Sequence, residues 1–181
     1  HDRDSMIYSD GAGATIIEAT DEEGGILAHE SATFSFDEAK FLYFGNSFNK
    51  NEDPNIRYIK MYGRKIYEFA LSNVPKAMAS CLEKSRIDIT DVKKILIHQA
   101  NEKMDEAIIN RFYKLYKMET PVGIMPMSIH KLGNSSVATV PTLYDLIVNG
   151  ELEGQNLNKG DVIIFASVGA GMNINAIVYK M

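Results

Sequence analysis

The segment Ile95-Leu96-Ile97-His98-Gln99-Ala100-Asn101 decides the interpretation of this chain. Three successive aliphatic residues are typical of a short strand that is buried on both faces. The next four residues are mostly polar and lead directly into a helical pattern. In open α/β sheets, ligand sites lie beyond the carboxyl ends of such strands. The segment therefore predicts a buried strand that presents polar side chains at a candidate site. Taken alone, His98 has an alternative interpretation, as a residue that caps the next helix.

A second polar cluster, Leu132-Gly133-Asn134-Ser135-Ser136, follows further along the chain. Gly133 allows a tight turn, and Ser135 or Ser136 is suited to capping the helix that follows. The amide of Asn134 would then lie beside a helix N-terminus, where negative charge is favoured. Asn134 is either that cap or, together with His98, one of two groups directed at a substrate oxygen. The residues alone leave both interpretations open.

The rest of the chain alternates between strand and helix patterns. We predict strands at residues 6–8, 14–17, 26–36, 95–97, 122–127, 161–166 and 173–179, and helices at residues 63–85, 102–116 and 135–148. Pro75 should kink or divide the first helix, with Ser72 and Asn73 capping its second part. Residues 41–54 should form an irregular loop over a neighbouring element. This succession predicts an α/β layered sandwich with a mixed central sheet flanked by helices.

Composition narrows the class of protein. The chain has 181 residues, and its net charge of −5 argues against a broad nucleic-acid-binding surface. One cysteine excludes an internal disulfide and fits a reducing compartment, so we expect a cytoplasmic location. No apolar run approaches the roughly 18 residues of a membrane span. The chain begins with His1 rather than methionine, and we expect it to be one domain, residues 1–181, of a longer protein.

Several residues and motifs resemble functional sites but are not predicted to be catalytic, nucleotide-binding or metal-binding. Cys81 lies on the apolar stripe of the first predicted helix, near its end, whereas a nucleophilic thiolate prefers a helix N-terminus or a neighbouring cation. Gly11-Ala12-Gly13 and Gly169-Ala170-Gly171 match no nucleotide-binding fingerprint, and we expect tight turns where backbones approach closely. His29 and His130 lack metal-ligand spacing. The sequence therefore predicts an inert thiol, no metal site and no cofactor.

Five segments together resemble the C-terminal half of the 3-oxoacyl-[acyl-carrier-protein] synthase III family, which has the thiolase-like fold. In chain order they are Ser9-Asp10-Gly11-Ala12-Gly13-Ala14, Met61-Tyr62-Gly63-Arg64-Lys65-Ile66-Tyr67, His98-Gln99-Ala100-Asn101, Leu132-Gly133-Asn134-Ser135-Ser136 with Val140-Pro141, and Gly169-Ala170-Gly171. Any one of them is weak evidence, but five in the right order are specific. The resemblance implies a condensing enzyme whose nucleophilic cysteine lies in the other, N-terminal half.

The resemblance also implies roles for individual residues. His98 and Asn134 would hydrogen-bond the thioester carbonyl of malonyl-acyl carrier protein during decarboxylation and stabilise the resulting enolate. Two neutral donors directed at one oxyanion are typically worth a few kcal/mol each. Substrate or pantetheine would be bound by Asn101, Gly63 and Gly169, and an acidic carrier protein would dock on Arg64, Lys65 and Lys103.

The chain departs from the family pattern at positions that bear on specificity. Lys103 replaces the usual arginine, which keeps the charge but loses the fork geometry. Asn173-Ile174-Asn175 replaces a Thr-Trp-Gly segment, and Val168 replaces an aromatic residue. Because this region lies near the primer pocket in the family, a smaller Val168 would suit a longer or branched primer.

The expected partners are acyl-CoA, malonyl-acyl carrier protein, the N-terminal half of the same protein and a second copy of it in a homodimer, with no nucleic acid and no membrane. Two alternatives stay open. One is a related condensing enzyme of secondary metabolism, and the other is a thiolase-like domain that binds an acyl carrier or another partner without catalysis.

Overall fold

The computed structural model describes residues 2–181, and this range contains six strands and four helices. The strands are β1 (Gly25–Thr33), β2 (Leu42–Gly45), β3 (Tyr58–Met61), β4 (Val92–Ile97), β5 (Val162–Gly169) and β6 (Asn173–Lys180), and the helices are α1 (Gly63–Ser85), α2 (Glu102–Leu115), α3 (Ile129–Leu132) and α4 (Thr139–Val148). One sheet has the order β1-β6-β5-β4, in which only the β4–β5 pair is parallel. The expected α/β class with a mixed sheet is confirmed.

Helices cover both faces of this sheet, and the strand sequences show why. Along β5, Ile164 belongs to a large core that includes residues of α1 and α2, whereas Ile163 belongs to a smaller core with Leu143 of α4. Successive side chains on a strand point to opposite faces, so an unbroken apolar run fits a strand covered on both sides. The run in β4 is of the same kind, and it carries His98 at its carboxyl end.

Several predicted elements are wrong. Residues 14–17 form no strand, because Ile16 and Ile17 are exposed and nothing in residues 2–181 pairs with them. Residues 3–7 form a 3-10 turn. Residues 122–127 make one backbone bond with β4, from the Ile95 N–H to the Ile124 carbonyl at 2.8 Å, and accept the Lys94 ammonium at the Gly123 carbonyl, without forming a ladder. The predicted loop contains β2, which pairs with β3. An apolar alternating run becomes a strand only where a neighbour takes its hydrogen bonds.

The expected division of α1 at Pro75 is also wrong, since the helix is continuous from Gly63 to Ser85. Ser72 Oγ donates to the carbonyl one turn earlier at 2.7 Å, and Asn73 Nδ2 does the same at 3.0 Å. These side chains therefore bond within the helix and cap nothing.

Proline has no N–H, so the Leu71 carbonyl four residues before Pro75 has no helical donor. Leu71 is buried, and Arg111 of α2 supplies the missing donor, with Nη1 at 3.3 Å from the Leu71 oxygen. An unpaired buried carbonyl would carry a desolvation penalty. The defect that Pro75 introduces in α1 is thus satisfied by a side chain from the neighbouring helix.

The first described residues are bonded to the β2–β3 hairpin. The Asp2 carboxylate pairs with the buried Lys60 ammonium and accepts hydrogen bonds from Ser47 Oγ at 2.6 Å and from the Phe48 N–H at 3.2 Å. The Lys60 bond, followed by the Ser47 bond, lowers the pKa of Asp2 to about 2. The hairpin is therefore held by a charge-assisted cluster and not by strand pairing alone.

Asp105, in the first turns of α2, is an exception to the apolar core. It is fully buried, and neither carboxylate oxygen has a hydrogen bond of normal geometry within residues 2–181. Burial raises the pKa of this carboxyl to about 8, and the nearby backbone N–H groups of Asn101 and Ala100 offset only part of that rise. The side chain is therefore mainly protonated at neutral pH.

The first prediction concerns the Leu71 carbonyl. Arg111→Met should lower the free energy of unfolding by about 1–2 kcal/mol, because a buried acceptor loses its donor. In a Pro75→Ala background the amide at position 75 can donate to that carbonyl, so the same change should cost much less. Urea unfolding of the four variants measures this coupling, with Lys114→Met on the same helix as a control. Equal costs in the two backgrounds would show that Arg111 acts through other contacts.

The second prediction concerns Asp105. Between the ordinary aspartate pKa of 3.8 and about 8, the unfolded chain is ionised at this residue while the folded chain keeps its proton, so stability should fall as pH rises through that window. Asp105→Asn should remove this slope and be more stable than the parent by about 1–3 kcal/mol at its alkaline end. Chemical unfolding across the window tests this. The exposed Glu106→Gln should leave the slope unchanged, and an unchanged slope in Asp105→Asn would contradict the prediction.

Candidate active site

The parallel pairing of β4 with β5 continues into His98, whose N–H donates to the Ala166 carbonyl at 2.9 Å. The half-buried His98 ring lies with Nδ1 at 3.1 Å from the Ser136 carbonyl oxygen. Because a carbonyl only accepts, Nδ1 carries the hydrogen and Nε2 of the neutral ring is a bare acceptor. Burial lowers the pKa of His98, opposed in part by the Ser136 carbonyl. The neutral ring is therefore favoured.

Asn134 is buried, and its backbone is held on both sides by the N-terminal segment. Its N–H donates to the Ile7 carbonyl at 3.3 Å, and its carbonyl accepts from the Ser9 N–H at 2.9 Å. Its side-chain Oδ1 accepts from the Ser136 N–H at 2.9 Å, so Nδ2 points the other way. Within residues 2–181 that Nδ2 has no hydrogen-bond partner. Asn134 is thus both a local turn residue and a free donor.

The two side chains converge on one small cavity. It has a volume of about 80 Å³, and its lining includes His98, Asn134 and Gly169. His98 also lines a larger neighbouring cavity of about 600 Å³, whose other walls include Phe44 and Val168. The structure therefore brings His98, Asn134 and Gly169 together at the carboxyl edge of the sheet. An imidazole and an amide side chain thus line one small space next to a larger, mainly apolar cavity.

The other predicted binding residues lie around this place without lining either cavity. Asn101 is exposed, and its Oδ1 caps α2 by accepting from the Met104 N–H at 3.2 Å. Gly63 is the first residue of α1. Ile66 and Met104, in the first turns of α1 and α2, both line the small cavity. Further along both helices, Arg111 of α2 contacts Leu71 of α1. The two helices therefore run in the same direction, and both begin at the site.

The three predicted docking cations differ in their surroundings. Arg64 is exposed and pairs with Glu68 one turn later at 2.8 Å. The Lys65 ammonium lies over the Phe41 ring, 5.2 Å from its centroid. Lys103 is exposed on the first turn of α2. All three lie at the ends of α1 and α2 that begin beside the small cavity.

Gln99 is a residue whose importance sequence reasoning missed. It is fully buried between His98 and the α2 cap, and its Oε1 accepts from the N–H groups of Ser128 and Ile129, each at 2.9 Å. Its Nε2 donates to the Pro126 carbonyl at 3.0 Å. Gln99 therefore ties the end of β4 to the loop that leads to Asn134. The sequence feature that points to Gln99 is an amide side chain directly after a buried apolar strand. The partners of this amide are not predictable from the sequence.

The segment Gly11-Ala12-Gly13 packs closely against a neighbouring part of the chain, as expected, but it does not form a tight turn. A Cβ atom on Gly13 would lie 2.4 Å from Pro141 Cγ, and one on Gly11 would lie 2.9 Å from Ser135 Cβ. Residues 9–13 therefore run directly over the start of the Asn134 loop and α4. The expected serine caps are wrong, because Ser135 Oγ lies 3.2 Å from Thr139 Oγ1 and makes no cap bond.

Cys81 lies away from this site. It is fully buried in α1, its Sγ donates to the Ala176 carbonyl at 3.4 Å, and burial raises its pKa. Residues 2–181 contain no cluster of three or more histidine, cysteine or carboxylate side chains arranged to hold a metal ion. In the same part of the chain, no helix combines the length and the apolar character needed to cross a membrane.

Comparisons of this sequence with a family model and with individual known proteins indicate the same family. Residues 82–181 match the family described as 3-oxoacyl-[acyl-carrier-protein (ACP)] synthase III C terminal. The chain is 33% identical over 176 residues to a beta-ketoacyl-[acyl-carrier-protein] synthase III of Clostridium botulinum, covering 95% of this chain and 51% of that protein. It is 31% identical over 180 residues to the synthase of Oenococcus oeni, covering 97% of this chain and 52% of that protein.

The fold agrees with these matches. The crystal structure of a synthase III from Thermus thermophilus superposes with a TM-score of 0.73 at 21% identity, covering 91% of this chain and 49% of that one. The chain spans about half the length of the relatives it matches. Its layered architecture is that of one half of the thiolase-like fold. The chain belongs to the 3-oxoacyl-[acyl-carrier-protein] synthase III family, of which it represents the C-terminal region.

Proposed function

We propose that this chain is the C-terminal half of a condensing enzyme of fatty-acid initiation, which joins an acyl-CoA primer to malonyl-acyl carrier protein with loss of carbon dioxide. The observation that carries the proposal is that His98 and Asn134 line the same small cavity beside a large apolar one. The family match supplies the reaction class. A domain that only binds a partner would not need two unpaired polar groups facing the same space.

In the proposed reaction, the malonyl thioester loses its carboxylate as carbon dioxide, and the electron pair of that carbon–carbon bond passes into an enolate. Asn134 Nδ2 donates to the enolate oxygen. The enolate carbon then attacks the acyl group held as a thioester on a cysteine, and the cysteine sulfur leaves with the electron pair of its carbon–sulfur bond. A preorganised donor that meets charge only as it develops lowers the barrier without a reorganisation cost.

The geometry changes the expected pair of neutral donors. With Nδ1 committed to the Ser136 carbonyl, His98 can donate from Nε2 only as an imidazolium. Burial disfavours that cation in the empty site, whereas a neighbouring enolate oxygen would favour it. We therefore assign His98 as the group whose Nε2 takes up a proton from solvent when negative charge develops and returns that proton when the carbonyl re-forms. Asn134 is the donor that is present throughout.

The surrounding features fit the proposed substrates. Val168 and Gly169 line both cavities, so the primer and the malonyl thioester would meet at this turn. The helices α1 and α2 begin at the site, and the exposed Lys103 lies there for docking an acidic carrier protein, with Arg64 and Lys65 nearby. Asn101 and Gly63, at the two helix starts, would border the pantetheine arm. A homodimer of the full-length protein, located in the cytoplasm, completes the proposal.

The third prediction is that this chain alone does not condense substrates. Cys81 is buried, protonated and away from the site, so no nucleophile is available within residues 2–181. Incubation with acyl-CoA and malonyl-acyl carrier protein should give no 3-oxoacyl product above a protein-free control. Cys81→Ala in the full-length enzyme should keep normal turnover. Product formation by the chain alone that Cys81→Ala abolishes would overturn the division of roles.

The fourth prediction tests the two site residues in the full-length enzyme. His98→Ala and Asn134→Ala should each slow decarboxylation of malonyl-acyl carrier protein by roughly 10²–10³-fold, since each removes a partner of the enolate oxygen. Release of labelled carbon dioxide measures this step. The exposed His130→Ala and Asn156→Ala are matched controls that should keep the parent rate. Near-parental decarboxylation in both site variants would refute the assignment.

A further inference from the structure

We infer that the main chain of Ser136 is a positioning element that holds His98 and Asn134 together and fixes which nitrogen of His98 carries the proton. Its N–H donates to Asn134 Oδ1 at 2.9 Å, and its carbonyl accepts from His98 Nδ1 at 3.1 Å. The Ser136 side chain is exposed and makes no hydrogen bond within residues 2–181. The contribution of this residue to the site therefore lies in its backbone, not in its hydroxyl group.

The backbone of Ser136 has an unusual conformation. Its φ of 54° lies in the left-handed region, which serine rarely adopts. The other described non-glycine residues with positive φ include Arg86 and Lys117, which lie at the ends of α1 and α2, where a left-handed residue is a normal way to stop a helix. Ser136 instead begins a 3-10 turn, where no such explanation applies. A conformation of this kind persists only where surrounding contacts determine it.

Those contacts are present on both sides of Ser136. The Ser135 carbonyl accepts from the Ala138 N–H at 3.1 Å, and Ser135 Oγ lies 3.2 Å from Thr139 Oγ1. Gly11 lies against the chain before and after Ser136, since a Cβ atom on Gly11 would be 2.9 Å from Ser135 Cβ and 3.1 Å from Ala138 Cβ. The chain before and after Ser136 is thus fixed, and its left-handed turn directs the N–H toward one site residue and the carbonyl toward the other.

The consequence is that one residue sets two properties of the site. If Ser136 took an ordinary negative φ, Asn134 Oδ1 would lose its donor and its Nδ2 would no longer be held toward the small cavity. His98 Nδ1 would lose its acceptor, and the neutral ring could place its proton on either nitrogen. A substitution that changes the φ of Ser136 should therefore alter both the direction of the Asn134 amide and the tautomer of His98.

The test compares Ser136→Val with Ser136→Gly. Both remove the hydroxyl group, but a β-branched residue strongly disfavours positive φ, whereas glycine accepts it readily. Nitrogen-15 NMR of the imidazole rings in this chain should show the Nδ1-protonated form of His98 in the parent and in Ser136→Gly. Ser136→Val should shift His98 toward the Nε2-protonated form, while the exposed His130 ring stays unchanged. This measurement does not depend on catalysis.

The kinetic arm rests on the proposed function. In the full-length enzyme, Ser136→Val should lower kcat for decarboxylation by about 10²-fold with little change in KM, because both site groups are displaced while the docking surfaces remain. Ser136→Gly should keep kcat close to the parental value. A merely structural role would lower the amount of folded protein without moving the tautomer.

The outcomes separate the two proposals. An Nε2-protonated His98 in the parent chain, or identical ring states and rates in Ser136→Val and Ser136→Gly, would overturn the inference about Ser136. If the tautomer responds as expected but His98→Ala leaves decarboxylation intact, the positioning by Ser136 stands and the proposed function falls. If Ser136→Val fails to fold, Ser136→Ala takes its place, because alanine also disfavours positive φ and lacks the hydroxyl group, and identical ring states in the alanine and glycine variants would overturn the inference.

Discussion

The buried amide of Gln99 is the constraint on which the geometry of the site depends. It sits at the end of a strand covered on both faces, where an unpaired amide would carry a desolvation penalty of about 1–3 kcal/mol. Its two ends are satisfied by the Pro126 carbonyl and by the N–H groups of Ser128 and Ile129. These bonds join parts of the chain that are distant in sequence, so the loop before Asn134 is placed relative to His98 by a buried side chain that lines neither cavity.

The different roles of the residues within His98-Gln99-Ala100-Asn101 follow from this placement.

 The backbone leaves a strand and enters a helix within these four residues, so each side chain points in a different direction. His98 faces the cavities, Gln99 points into the core, and Asn101 turns back to cap α2. Four adjacent residues therefore supply a chemical group, a structural tie and a helix cap. A strand that ended in small or apolar residues would lose the chemistry and the loop position together.

The sequence predicts those parts of the fold that are determined by burial within this chain. The apolar runs of β4 and β5 and the apolar stripe of α1 are predicted correctly, because each is covered by neighbours within residues 2–181. The strand predicted at residues 14–17 is wrong for the opposite reason, since no neighbour pairs with it. Residue type and position predict His98 and Asn134 as candidate site residues. The proposed role of Ser136 is not predictable from the sequence, because a backbone N–H and carbonyl are present at nearly every residue and only the φ angle distinguishes this one.

The electrostatics of the site follow from its position between two helix starts. α1 and α2 run in the same direction and begin beside the small cavity, so the positive ends of both dipoles lie near it. Burial keeps His98 neutral, and Asn134 adds a free N–H donor, so the resting site has donors and dipoles but no fixed cation at its centre. Such a site favours an anion that forms within it over one that arrives already charged and must first lose its hydration. The enolate of the proposed reaction is an anion of the first kind, and in that proposal a solvent proton taken up at His98 Nε2 would follow the charge instead of preceding it.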